Sequence, residues 1–131
     1  MLADKPTVLV VDDNADAVAA LAQILEYEGY AVATAYDGRR ALEYLAAHQA
    51  PNLIILDLMM PGMNGWEFRA EIAKLPIFAN VPIVVTTALA ETAGIDADAI
   101  IAKPIDLQRL LRIMGRLLVR GADSGGALST I

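Results

Sequence analysis

Asp12, Asp13, Asp57, Thr87 and Lys103 each stand at the end of an apolar run. Together they offer three carboxylates, a hydroxyl and an ammonium. Two unit charges about 4 Å apart repel by about 4 kcal/mol at an effective dielectric near 20. Three carboxylates drawn together therefore stay ionised only with a cation among them; otherwise their pKa values rise. A small, all-oxygen ligand set suits Mg²⁺ retaining several waters, rather than Zn²⁺ or a full Ca²⁺ cage. With Mg²⁺, Lys103 and the Thr87 hydroxyl around it, an Asp57 oxygen faces a positive cradle for phosphoryl oxygens. The carboxylate would then act as a nucleophile and become an aspartyl phosphate. A lone acidic residue at a strand end reads equally well as a helix cap, a role that suits Asp13 or Asn14. Three such residues with a lysine facing them favour the chemistry.

For these side chains to meet, their runs must lie side by side and point the same way. Thr7–Val11, Leu53–Leu56 and Ile83–Thr86 are continuous and aliphatic or β-branched, as strands covered on both faces are. Ala31–Ala35 alternates Val32 and Thr34 with alanines, which suits an edge strand, and Ala99–Ala102 is a fifth run. Helical spacing fills the gaps, as in Val18, Leu21, Ala22 and Leu25, or Phe68, Ile72 and Leu75. Ala41, Leu42 and Leu45 give a shorter version, and Leu107, Leu110, Leu111, Met114, Leu117 and Leu118 the longest. This alternation predicts an α/β fold, a parallel sheet with helices on both faces. All its strands end on one edge, where ligands gather. The crossover between Thr87 and Lys103 is short and predicts a helix of one or two turns near Glu91–Gly94, or none. Residues 1–120 form the expected domain. From Gly121 the periodicity stops, and 121–131 is expected to be a flexible tail or the start of a linker.

The 131 residues suit one domain, and 56% hydrophobic composition excludes disorder. The absence of cysteine excludes thiol catalysis and thiolate metal sites, and is compatible with the cytoplasm, the expected location. Asp12, Asp57 or a proline interrupts every apolar run, so neither a membrane span nor a signal peptide is expected. A net charge of −6 argues against direct nucleic-acid binding.

The sequence resembles the response-regulator receiver domains of two-component signalling, the CheY-like group. The matching stretches are Val-Leu-Val-Val-Asp-Asp-Asn at 8–14, Leu-Ile-Ile-Leu-Asp-Leu-Met-Met-Pro-Gly-Met-Asn-Gly at 53–65, Pro-Ile-Val-Val-Thr-Thr-Ala at 82–88 and Lys-Pro at 103–104. The resemblance implies a flavodoxin-like, doubly wound sheet of five strands in the order 2-1-3-4-5. It further implies Asp57 as phosphoacceptor, with Mg²⁺ held by Asp12, Asp13, Asp57 and the Met59 backbone carbonyl. Thr87 becomes the switch hydroxyl, Lys103 the phosphoryl-contacting lysine, and the Lys103–Pro104 bond cis. The phosphoryl donor would be a sensor histidine kinase or a histidine phosphotransfer protein, and the output a contact with an unknown downstream protein. The chain is then not an enzyme beyond Mg²⁺-dependent self-phosphorylation and slow self-dephosphorylation.

Two departures from the family pattern bear on output. Ile100 replaces the aromatic switch residue three positions before the lysine, and the crossover helix is short. Readout through another surface, such as the first or last helix, is expected. Met59 and Leu89, at positions that govern water access in the family, are both apolar. An FMN carrier of similar architecture would need donors where Asp12-Asp13-Asn14 stands. A haloacid-dehalogenase-type phosphatase would need a second carboxylate at Met59. A pseudo-receiver that binds partners without phosphorylation is the remaining alternative.

Other residues tempt. His48, the single histidine, reads as a solvent-facing loop residue. Arg109, Arg112, Arg116 and Arg120 form a basic stripe that reads as a solvated face or a surface for an acidic partner. Phe68 fits core spacing, Trp66 is expected near the acidic site, and Met59, Met60 and Met63 suit loop packing or an adaptable contact.

Overall fold

Aliphatic and β-branched side chains have little to give to water, and the three strands richest in them make the centre of this sheet. In the computed structural model, which describes residues 5–88 and 94–129, β1 is Thr7–Val11, β3 is Leu53–Asp57 and β4 is Ile83–Thr87. Every residue of β3 and β4 is buried. The two half-covered strands, β2 (Ala31–Ala35) and β5 (Ala99–Ala102), lie at the edges. The order is β2-β1-β3-β4-β5 and all pairings are parallel. This is the doubly wound, flavodoxin-like architecture expected.

Helices α1 (Ala15–Tyr27), α2 (Gly38–Ala47), α3 (Gly65–Ala73) and α4 (Leu107–Ser129) cover the sheet. Strand residues alternate between faces, which divides the core. Leu9, Val11, Ile54, Leu56 and Val85 meet Ala41 and Leu45 of α2 and Phe68 and Ile72 of α3. Val8, Val10, Leu53, Ile55 and Val84 meet Val18 and Leu25 of α1 and Leu110, Ile113, Met114 and Leu117 of α4. Phe68 is wholly buried, and truncating such a residue to alanine costs about 3–5 kcal/mol.

Local signals start and stop the helices. Asn14, not Asp13, caps α1, accepting from the Ala17 amide at 3.0 Å. Asp37 caps α2, accepting from Arg40 at 2.7 Å. Gly29, with φ of 103°, turns the chain after α1, a conformation that L side chains avoid.

Two expectations fall on stretches that the structure describes only in part. The short crossover helix near Glu91–Gly94 falls largely on residues 89–93, which lie outside the described residues, as does Leu89; Gly94–Ala97 is irregular. The helical backbone of α4 runs to Ser129, through most of the stretch expected to be a flexible tail. Its described side chains pack against the sheet as far as Leu117 and Leu118.

Candidate functional site

Sheet register assembles the site. Val11 pairs with Leu56, so the next residues, Asp12 and Asp57, leave adjacent strands together. Thr87 pairs with Ala102, and the Lys103 amide donates to the Thr87 carbonyl at 2.9 Å. All five residues singled out for chemistry thus follow from strand ends on one rim.

Their charges meet closely. The Lys103 ammonium donates to Asp12 Oδ2 at 2.9 Å and lies 3.4 Å from Asp57 Oδ1. Carboxylate oxygens of Asp12, Asp13 and Asp57 all lie within 4.8 Å of one another. Asp57 is only 4% exposed and Asp12 8%, whereas Asp13 faces solvent. The Asn14 amide donates to Asp12 Oδ1 at 2.9 Å, and the Met59 amide reaches Asp57 Oδ1 at 3.4 Å. Thr87 is fully buried, and the Lys103–Pro104 bond is cis.

Burial raises the Asp57 pKa above the ordinary 3.8, and the neighbouring Asp12 charge adds to this; Lys103 and the Met59 amide offset it only in part. Burial works against the Lys103 ammonium. Its hydrogen bond to Asp12 and the charges of Asp57 and Asp12 outweigh that and leave its pKa above 10.5.

Three clustered carboxylates, one of them left reluctant to ionise, are a donor set that a small hard cation fits. The oxygens are close enough to share one ion, and the exposed Asp13 leaves a side open for retained waters.

The remaining candidates separate by position. Met59 is 54% exposed beside Asp57, while Met60 is buried and Met63 packs against Gly38. Trp66 is partly buried against the α2/α3 core, which Phe68 joins. Ile100 packs against the same core. His48 is exposed, stacks on Tyr44 at 4.1 Å and shares a hydrogen bond with the Tyr44 carbonyl. Arg109, Arg112 and Arg116 are exposed. Composition and periodicity do not reveal how α3 is fastened to the site. Asn64 and Glu67 form a reciprocal cap, at 2.9 and 3.0 Å, and the Gly65 amide donates to the Leu58 carbonyl at 2.8 Å. The Asn64…Glu67 spacing is the sequence signal for that cap.

Comparison with known proteins bears on the same residues. Residues 8–114 match the response regulator receiver domain family. The response regulator MprA of Mycolicibacterium vanbaalenii is 36% identical over 92% of this chain and 53% of its own length. The response regulator TrrA of Thermotoga maritima, solved in complex with Mg²⁺-BeF, has 31% identity and a TM-score of 0.76, covering 86% of this chain and 98% of its own. The receiver domain of a signal transduction histidine kinase from Syntrophus aciditrophicus has 29% identity and a TM-score of 0.80, covering 87% and 90%. The chain spans about half the length of the curated relatives it matches.

Proposed function

The chain belongs to the response regulator receiver domain family, and from that premise we propose that Asp57 accepts a phosphoryl group within a two-component phosphorelay. The observation that carries this reading is the Lys103 ammonium lying within reach of both Asp12 and Asp57 on a largely buried rim. Such a site holds a nucleophilic carboxylate beside fixed positive charge, which is what phosphoryl transfer needs most.

In the proposed reaction, an Asp57 oxygen attacks the phosphorus of a phosphohistidine. The O–P bond forms as the P–N bond breaks, and the imidazole leaves with the electron pair. Lys103 neutralises charge on the phosphoryl oxygens, which requires its ammonium to turn from Asp12. The Thr87 hydroxyl donates to one of those oxygens. Asp12, Asp13, Asp57 and the Met59 carbonyl would hold Mg²⁺, which supplies further charge neutralisation when bound. Met59 cannot orient a water by hydrogen bonding, which favours a slowly hydrolysed phosphoaspartate.

The donor is a sensor histidine kinase or a histidine phosphotransfer protein, and the output is an altered contact with a downstream protein in the cytoplasm. No helix among the described residues is long and apolar enough to cross a membrane. Acetyl phosphate with Mg²⁺ tests the central step. A mass gain of one phosphoryl, lost in Asp57→Asn, supports it; an unmodified wild type favours a pseudo-receiver instead.

A further inference from the structure

Gly65 opens α3 without a positive φ; the described glycines that have one are Gly29, Gly62 and Gly94. Conformational freedom therefore does not explain a glycine where alanine would favour the helix. Space does. A Cβ on Gly65 would lie 2.7 Å from the Leu58 Cα, 2.8 Å from Leu58 Cδ2 and 2.9 Å from the Asp57 carbonyl oxygen. Two of those atoms belong to the peptide that joins Asp57 to Leu58. Leu58 is itself fully buried, so this peptide has no free space to retreat into. The Gly65 amide holds the Leu58 carbonyl at 2.8 Å, and the Asn64–Glu67 cap fixes the same turn.

We propose that Gly65 is a positioning residue for Asp57. Its missing side chain lets the first turn of α3 seat directly on the Asp57–Leu58 peptide, which fixes the direction of the carboxylate toward Asp12, Asp13 and Lys103. Gly38 makes the contrast. A Cβ there would come within 2.9 Å of Met63 Cγ and meet only side-chain atoms of that residue, and a methionine can swing away.

The inference rests on Asp57 being the phosphoacceptor, and two readouts keep the questions apart: the rate of labelling by acetyl phosphate, and Mg²⁺ affinity by calorimetry. Misplacing a reacting group by part of an ångström slows Gly65→Ala about tenfold per folded molecule, and weakens Mg²⁺ binding roughly threefold. Gly38→Ala stays within about twofold of wild type in both. Ile72→Val, a core change in α3, lowers stability but leaves the rate per folded molecule unchanged.

A folded Gly65→Ala with wild-type rate and affinity overturns the proposal. So does an Ile72→Val variant slowed as much as Gly65→Ala, which would make the effect one of general stability. A wild type that takes no label overturns the phosphoacceptor reading instead, and the Mg²⁺ affinity of Gly65→Ala then decides the positioning alone. Should Gly65→Ala not fold, Asn64→Ala removes the cap from a partly exposed side chain. It is expected to slow labelling about threefold, and an unchanged rate there overturns the proposal.

Discussion

The Lys103 ammonium donates to the Asp12 carboxylate at 2.9 Å across 91 positions of chain, and the same nitrogen lies 3.4 Å from Asp57. One flexible cation thus balances two nearly buried anions. Both acidic partners come from central strands, whereas the lysine follows an edge strand. Lys103 can therefore move without disturbing the core that holds the carboxylates.

Lys103→Met is expected to destabilise the metal-free protein by about 1–3 kcal/mol, the cost of leaving a charged, buried partner without its hydrogen bond. Urea denaturation at pH 7 measures this. Since the Lys103 pKa is raised, its contribution is present below 10.5 and fades as the pH rises through the raised value.

Asp57 works in the opposite sense. Its folded-state pKa is raised above 3.8 by burial and the Asp12 charge, so the folded state binds its proton more tightly than the unfolded state does. Stability from this group is full below 3.8 and is lost as the pH rises through the raised value. Metal-free Asp57→Asn should therefore melt above wild type at pH 7, by roughly 4 °C for each kcal/mol relieved. The difference should shrink toward pH 4. Thermal melts in chelator across that range would contradict this if the two curves ran parallel.

Mg²⁺ should raise the melting temperature of the wild type, because a ligand at about one hundred times its Kd adds about 2.7 kcal/mol. Asp13→Ala tests the assignment cleanly. Asp13 is exposed and takes part in no ion pair among the described residues. The variant should keep metal-free stability within about 0.5 kcal/mol while losing most of the Mg²⁺ response.

Met59 is 54% exposed beside the acceptor. Met59→Asn places an amide there that can orient an attacking water, and phosphoaspartate decay should quicken about fivefold. The decay of labelled protein measures this, and a lifetime equal to wild type would count against a role for residue 59 in water access.

Much of this protein is legible along the chain because its fold repeats one simple demand. Strands buried on both faces are aliphatic or β-branched, so 8–11, 53–56 and 83–86 declare themselves, and the residue after each marks the rim. Asp12, Asp57 and Thr87 were legible for that reason, and Lys103 because it follows the fifth run, Ala99–Ala102. Local rules likewise placed a cap at Asn14 or Asp13, since capping depends on neighbours two or three residues away.

Three matters belonged to the tertiary structure alone. That Lys103 bonds Asp12 more closely than Asp57 depends on the course of a side chain after an edge strand, which periodicity does not encode. That Gly65 serves close approach rather than a turn needed the distance to a peptide seven residues earlier. That the backbone of α4 continues as helix to Ser129 is not encoded in a sequence periodicity that ends at Leu118. Sequence by itself determined which groups arrive at the rim, through strand patterning that is local and repetitive. Only the folded chain decided how those groups divide charge and space, since both depend on atoms far apart in sequence meeting within a few ångströms.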